Sequence, residues 1–87
     1  MKRVGVTLRT LELLALTGSS MTRGEIRRAL ELPPDLAIDS RLREIRTPMY
    51  GAFELTVKEG DGDFRYSLPN EEQRNRALEF VREKRGA

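Results

Sequence analysis

The stretch that decides the fold is residues 22–46, TRGEIRRALELPPDLAIDSRLREIR, in which two helical patterns flank a pair of prolines. Thr22 and Glu25 have the spacing of a capping box, where the threonine hydroxyl accepts from the Glu25 amide and the glutamate accepts in return from the threonine amide. Pro33 and Pro34 stop this helix by Leu32, because proline lacks an amide donor and disfavours helical geometry in the residue before it. We therefore predict a helix that begins just after Thr22.

The second helical pattern follows the prolines at once. We expect this helix to open at Pro34 or Asp35 and to end before Pro48. Its apolar side recurs at i, i+4 and i+7, which is typical of an amphipathic helix. The residues on that side are Ile38, Leu42 and Ile45. The sequence thus predicts two short helices joined by a tight turn.

A longer helix precedes this pair. We expect it to open at Thr7, with Val6 and Leu11 as a hydrophobic staple across its first turn, and to end at Gly18. The spacing of its apolar residues places them on one face that belongs to the core. They are Leu8, Leu11, Leu14 and Ala15.

Beyond Pro48 the apolar spacing changes from helical to alternating. Residues 53–58 and 64–68 alternate apolar and polar side chains, and the intervening turn sequence, EGDGD at 59–63, contains glycines suited to positive φ. This pattern predicts a β-hairpin whose apolar face packs on the helices, because an isolated hairpin is only marginally stable. The apolar positions are Phe53, Leu55, Val57, Phe64, Tyr66 and Leu68.

A last helix is predicted over residues 71–85, with Asn70 as its N-cap, Gln73 in the capping-box position and Gly86 as its stop. Two roles are open for its apolar side: packing across the first helix to complete the core, or contact with a second copy of the chain in a homodimer. The residues that would form the dimer contact are Leu78, Phe80 and Val81.

Together these elements predict an α+β, mainly helical fold in a single domain over residues 1–87, with its core at about 7–69. Their order resembles that of winged helix-turn-helix DNA-binding domains. Residues 38–46, IDSRLREIR, are similar to the recognition-helix segment of that family, residues 22–32 to its first helix-turn-helix element, and residues 50–69 to the wing of small phage and prophage proteins. The resemblance implies three helices, a β-hairpin wing and double-stranded DNA as the partner, with a C-terminal helix at about 71–85 as an addition.

The composition narrows the classes of function. The 87 residues contain no Cys and no His, which excludes disulfides and removes the commonest general base and the commonest zinc ligands. We therefore expect neither an enzyme nor a cofactor. No apolar run approaches the roughly 20 residues that span a bilayer, and the start, MKRVGVT, lacks the apolar stretch of a signal peptide. The expectation is a cytoplasmic protein without membrane contact.

The net charge of +2 permits nucleic-acid binding, and arginine far outnumbers lysine. A guanidinium suits phosphates and guanine edges, although codon usage in a GC-rich genome would produce the same enrichment. By position on the third helix, the candidates for base edges in the major groove are Asp35, Ala37, Ser40 and Arg41. The candidates for backbone phosphates are Thr22, Arg23, Arg43, Arg46, Lys58 and Arg65, with Thr22 depending on whether its hydroxyl is free of the cap. For Arg41 and Arg43 the alternative is ordinary helix surface, paired with Asp39 or Glu44.

The predicted hairpin turn is acidic, with Glu59, Asp61 and Asp63. Because phosphates repel these groups, either the hairpin stays off the DNA or its tip faces a protein partner. The spacing lacks the remaining ligands of a calcium loop, so no metal site is expected. The sequence therefore predicts a DNA-binding transcriptional or phage-type regulator. The alternative is a protein-interaction module on the same fold, such as a small inhibitor or adaptor of a larger nucleic-acid machine.

Overall fold

Four α-helices and a three-stranded antiparallel sheet build residues 4–60 and 62–86, the part of the chain that the computed structural model describes. The predicted α+β, mainly helical class is confirmed. In chain order the elements are α1 (Val4–Thr17), β1 (Met21–Thr22), α2 (Arg23–Ala29), α3 (Ile38–Ile45), a 3-10 turn (Pro48–Tyr50), β2 (Thr56–Gly60), β3 (Asp63–Ser67) and α4 (Glu71–Gly86).

The sheet has the strand order β1-β3-β2, with β3 in the centre. Strands β2 and β3 form the predicted hairpin, residues 56–67, in which Val57 lies opposite Tyr66 and Lys58 lies opposite Arg65. The short strand β1 was not predicted. It pairs Met21 with Tyr66 and so ties the hairpin to the chain just before α2.

Buried apolar side chains from all four helices and from both flanks of the hairpin form a core cluster. The apolar faces predicted for the first and third helices are confirmed as part of it, because helical spacing brought these residues to one side. The cluster consists of Leu8, Leu11, Leu14, Ala15, Ile26, Ile38, Leu42, Ile45, Phe53, Leu68, Ala77 and Val81.

Helix α1 begins at Val4, before the predicted start. The expectation that Thr7 caps it, with Val6 and Leu11 as a staple, is therefore wrong. Thr7 lies inside the helix and is buried, and its hydroxyl donates to Glu44 Oε1 of α3 at 2.5 Å. The hydrogen-bond partner of the hydroxyl is thus a residue far away in the sequence, which the spacing of residues near Thr7 could not predict. The end of the helix before Gly18, which has φ of +70°, is as predicted.

The capping box at the start of α2 is confirmed. Thr22 Oγ1 accepts from the Glu25 amide at 3.1 Å, and the Thr22 amide donates to Glu25 Oε1 at 2.9 Å. The helix ends at Ala29, within the predicted limit, and Glu31 then takes a left-handed conformation with φ of +54°.

Helix α3 begins at Ile38 with Ala37 as its N-cap, so the predicted start at Pro34 or Asp35 is wrong. The connecting segment forms a turn in which the Leu36 amide donates to the Pro33 carbonyl at 3.1 Å. Arg27 of α2 supports this turn, because its Nη1 donates to the carbonyl oxygens of Pro33 at 2.9 Å and of Leu36 at 2.8 Å.

Strand β2 begins at Thr56, so the predicted strand character of Phe53 and Leu55 is wrong. Phe53 is a core residue instead. Its amide donates to the Ile45 carbonyl at 3.0 Å, and its ring meets the edge of Phe80 with centroids 5.7 Å apart. Gly51, with φ of +93°, makes the turn that brings the ring inward.

Helix α4 packs along α1, which confirms the packing role for its apolar side. Asn70 Oδ1 caps it by accepting from the Gln73 backbone N–H at 2.9 Å, as predicted. The predicted capping box is incomplete, because Gln73 Oε1 has no hydrogen-bond partner among the described residues. The helix runs through Gly86 instead of stopping before it. Val81 is only 2 % exposed, so this proposed dimer residue is taken up by the chain's own core. None of the described helices has both the length and the apolar character to cross a membrane.

Candidate nucleic-acid interface

An open cleft of about 310 Å³ lies between α3 and the hairpin, and we call it the α3–hairpin cleft. It joins three separate parts of the chain: the start of α2, one side of α3 and one face of β3. The lining residues are Arg23, Asp39, Leu42, Arg43, Arg46, Phe64 and Tyr66. Three of the predicted phosphate-binding arginines therefore meet in one place.

Arg43 and Arg46 are the exposed cations of this cleft. Arg43 lies in the last turn of α3 and Arg46 is its C-cap residue, still in helical geometry, so the two side chains, three residues apart, are neighbours at the C-terminal end of the helix. No carboxylate within the described residues comes within 4.0 Å of either guanidinium. Their donors face solvent and remain open to an anion.

Arg23 is held by two carboxylates. Its Nη1 lies 3.1 Å from both carboxylate oxygens of Asp39, and its Nη2 lies 3.7 Å from Asp63 Oδ1. The hydrogen bond and the charge of Asp39 raise the pKa of Arg23 above its ordinary value. This arrangement ties the hairpin to α2 and α3, and it neutralises much of the positive charge that the sequence assigned to phosphate binding.

Phe64 and Tyr66 are the aromatic residues of the cleft, which the sequence predicted on the apolar face of the hairpin and in no binding site. They alternate along β3 and so lie on one face of the hairpin. Tyr66 is half-buried, but Phe64 is 42 % exposed, which corrects its predicted place against the helices. The sequence contained a signal for this exposure, because the charged residue Glu59 lies opposite Phe64 on the same face of the hairpin. A charge at that position indicates that the hairpin has already extended beyond the core.

Ser40 and Arg41 lie away from the cleft. Arg41 Nε is 3.7 Å from Glu44 Oε1, the same oxygen that accepts from the Thr7 hydroxyl, so this part of α3 faces α1. Arg41 thus has the Glu44 partner that the alternative gave it, but its Nε is buried and makes no hydrogen bond within the described residues, so it is not ordinary helix surface. Ser40 is half-buried, and Ala37 is exposed at the N-cap of α3.

The Thr22 hydroxyl oxygen is engaged in the capping box, which leaves only its proton for a ligand. Lys58 and Arg65 face each other across the hairpin and therefore share its opposite face, away from the cleft. Arg65 Nη1 lies 3.5 Å from Glu25 Oε1, and Lys58 is exposed. The predicted DNA contacts thus divide between two faces of the hairpin.

Within residues 4–60 and 62–86, no three potential metal ligands of the His, Cys, Asp or Glu type come together to hold an ion. Asp61, one of the three acids predicted at the turn, lies outside the described residues. Glu59 is exposed and Asp63 is half-buried beside Arg23.

Comparison of the chain with protein-family models, with curated proteins and with solved structures finds no match. Its function therefore has to be inferred from the residues of the cleft.

Proposed function

We propose that the protein is a non-enzymatic regulator that binds double-stranded DNA as a winged helix-turn-helix domain, with α3 in the major groove and the hairpin as its wing. The order of the elements supports this class. Two helices joined by a turn are followed by a hairpin whose central strand also pairs with β1. Helix α3, with eight residues, is about 12 Å long, a size that the major groove accommodates.

The observation that carries the proposal is the pair of exposed arginines on α3. Arg43 and Arg46 have no carboxylate partner within the described residues, whereas Arg41 and Arg65 each have one and Arg23 has two. A free guanidinium binds phosphate or the guanine edge through a planar fork of donors. We therefore assign the main DNA contact to the cleft side of α3, and a backbone contact to exposed Lys58 on the opposite face of the hairpin.

The test is equilibrium binding of a fluorescent duplex of random sequence at about 50 mM and about 200 mM salt. We expect Arg43→Ala and Arg46→Ala each to weaken binding and to reduce the slope of log affinity against log salt by about 0.9, because each change removes one phosphate contact. Arg82→Ala is the matched control, since Arg82 is exposed on α4 and outside the cleft.

Absence of duplex binding at the lower salt concentration would overturn the proposal. An equal loss of affinity in Arg82→Ala would also overturn it, because the effect would then follow net charge alone.

A second candidate function, contact with a protein partner, is favoured by two features of the hairpin. Val57 and Phe64 are exposed apolar residues, and Glu59 lies beside them on the same face. Such a mixed surface is typical of protein contacts. If this candidate is correct, substitution of Val57 and Phe64 by serine abolishes capture of a partner from the source cell, while duplex binding is absent in the unsubstituted chain.

A homodimer through α4 is a further part of the proposal. Leu78 and Phe80 remain half-buried after the core has formed, and a dimer would present two copies of α3 to two half-sites. Sedimentation equilibrium tests this directly. If α4 forms the contact, the unsubstituted protein has the mass of two chains and Leu78→Ser has the mass of one. A single-chain mass for the unsubstituted protein refutes the homodimer.

A further inference from the structure

Phe64 is an aromatic ring left in solvent beside cations. Among the aromatic residues, Phe53 is buried and Phe80 packs against it, while Tyr50 and Tyr66 are half-buried. Phe64 alone of these rings is exposed, at 42 %. The cation–ring contacts in the described part of the chain belong to Phe53 and Phe80, so the Phe64 ring carries no arginine of its own.

The surroundings of this ring are polar and carry charges of both signs. The α3–hairpin cleft brings Arg43 and Arg46 to the same space as Phe64. Asp39 and Asp63 hold Arg23. On the hairpin Glu59 lies opposite Phe64, so the unpaired positive charge lies on the α3 side of the ring. An apolar protein segment would have to remove water from both free cations, which is costly.

We propose that the cleft binds an unpaired nucleobase, stacked on Phe64, with the adjoining phosphates on Arg43 and Arg46. This inference rests on the proposed function and names its substrate class: duplex DNA with a single-stranded tail or gap. Proteins that bind single strands combine an aromatic platform with cations along the backbone, because every base has a face that can stack. A base inside a continuous duplex has both faces covered by its neighbours and cannot use the ring.

The geometry assigns the duplex to α3 and the first unpaired base to the hairpin. The cleft, at about 310 Å³, lies at the lower end of the range for small-ligand sites. Phe64 is paired with Glu59 in the hairpin and directly precedes Arg65, the residue at which the pairing of β3 with β1 begins.

The experiment compares a blunt duplex with a duplex that carries a short single-stranded tail, both having the same number of phosphates. We expect the tailed DNA to bind more tightly. The readout is the ratio of the affinity for tailed DNA to the affinity for blunt duplex. Phe64→Leu should lower this ratio by about 5- to 150-fold, the range that corresponds to the loss of one stacked base. Phe64→Tyr keeps a ring and should keep the preference.

Val57→Ala is the control, because Val57 is exposed on the same face of the hairpin and has no ring. An equal loss in Val57→Ala would overturn stacking, since general apolar contact would then explain the result. Equal binding of both DNAs by the unsubstituted protein would also overturn the inference and leave duplex binding intact. Binding of tailed DNA without any binding of blunt duplex would overturn the proposed duplex function alone.

Discussion

We predict that Asp39→Asn lowers the stability of the protein slightly and raises its affinity for duplex DNA. The substitution removes the carboxylate that holds Arg23 at 3.1 Å and leaves the longer contact of 3.7 Å to Asp63. Arg23 stays protonated at neutral pH, although its pKa falls back towards the ordinary value. The guanidinium then keeps only the longer contact to Asp63 and has donors open to a phosphate, and one negative charge is removed from the binding surface.

The expected loss of stability is small. Both partners of the ion pair are about half exposed, with 40 % and 55 % of their side chains accessible, so screening by solvent reduces the value of the pair. Asp39 also lies in the first turn of α3, where a negative charge favours the helix dipole. We expect the free energy of unfolding to fall by at most about 1 kcal/mol.

The expected gain in DNA affinity follows from one additional phosphate contact. Such a contact makes the slope of log affinity against log salt more negative by about 0.9. Between about 50 mM and about 200 mM salt, a fourfold change, the affinity of the variant should therefore fall by about three- to fourfold more than that of the unsubstituted protein. At the lower concentration the variant should bind duplex more tightly.

Fluorescence anisotropy with duplex DNA measures the affinity, and urea unfolding measures the stability of the same samples. Glu79→Gln is the control, because it makes the same change of charge at an exposed position of α4. If Asp39→Asn leaves the salt slope unchanged, or if Glu79→Gln tightens binding equally, Arg23 is not a latent phosphate ligand and the reasoning fails.

Three further predictions concern the fold that positions the cleft. Thr22→Ala removes the cap of α2 and should lower the free energy of unfolding by about 0.5–2 kcal/mol in urea titrations, whereas Ser19→Ala, in the preceding loop, should have almost no effect. Phe53→Ala should cost about 3–5 kcal/mol by the same measurement, because the ring is buried against Phe80; a loss below about 1 kcal/mol would contradict its place in the core. Gly51→Ala should destabilise by about 1–3 kcal/mol, since φ is +93° and the new Cβ would collide with the Phe53 ring; equal thermal midpoints for the two proteins would exclude this strain.

Local hydrogen bonding and spacing explain what the sequence could predict. The capping box needs only Thr22 and Glu25, and the N-cap of α4 needs only Asn70 and the Gln73 amide. The apolar face of α3 needs only helical periodicity. Each signal is contained within a few neighbouring residues. A distant contact, from Arg65 Nη1 to Glu25 Oε1 at 3.5 Å, leaves the capping box in place.

Contacts between distant residues decided the rest. Thr7 lies inside α1, where its hydroxyl finds Glu44 of α3 as a partner. The turn that precedes α3 is held by Arg27, which donates to two of its carbonyls. Phe53 lies in the core and not in the predicted strand, because its amide donates to Ile45 at the end of α3 and its ring packs against Phe80 of α4.

The same division applies to the candidate site. The sequence alone predicted that arginines of the second and third helices would form a charged surface, because charge and helical spacing are local properties. Only the tertiary structure decided which of them are free, since Asp39 and Asp63 come to Arg23 from other elements while Arg43 and Arg46 receive no described carboxylate. It also decided that Phe64 lies exposed among them. The availability of a side chain depends on what the rest of the fold brings to it.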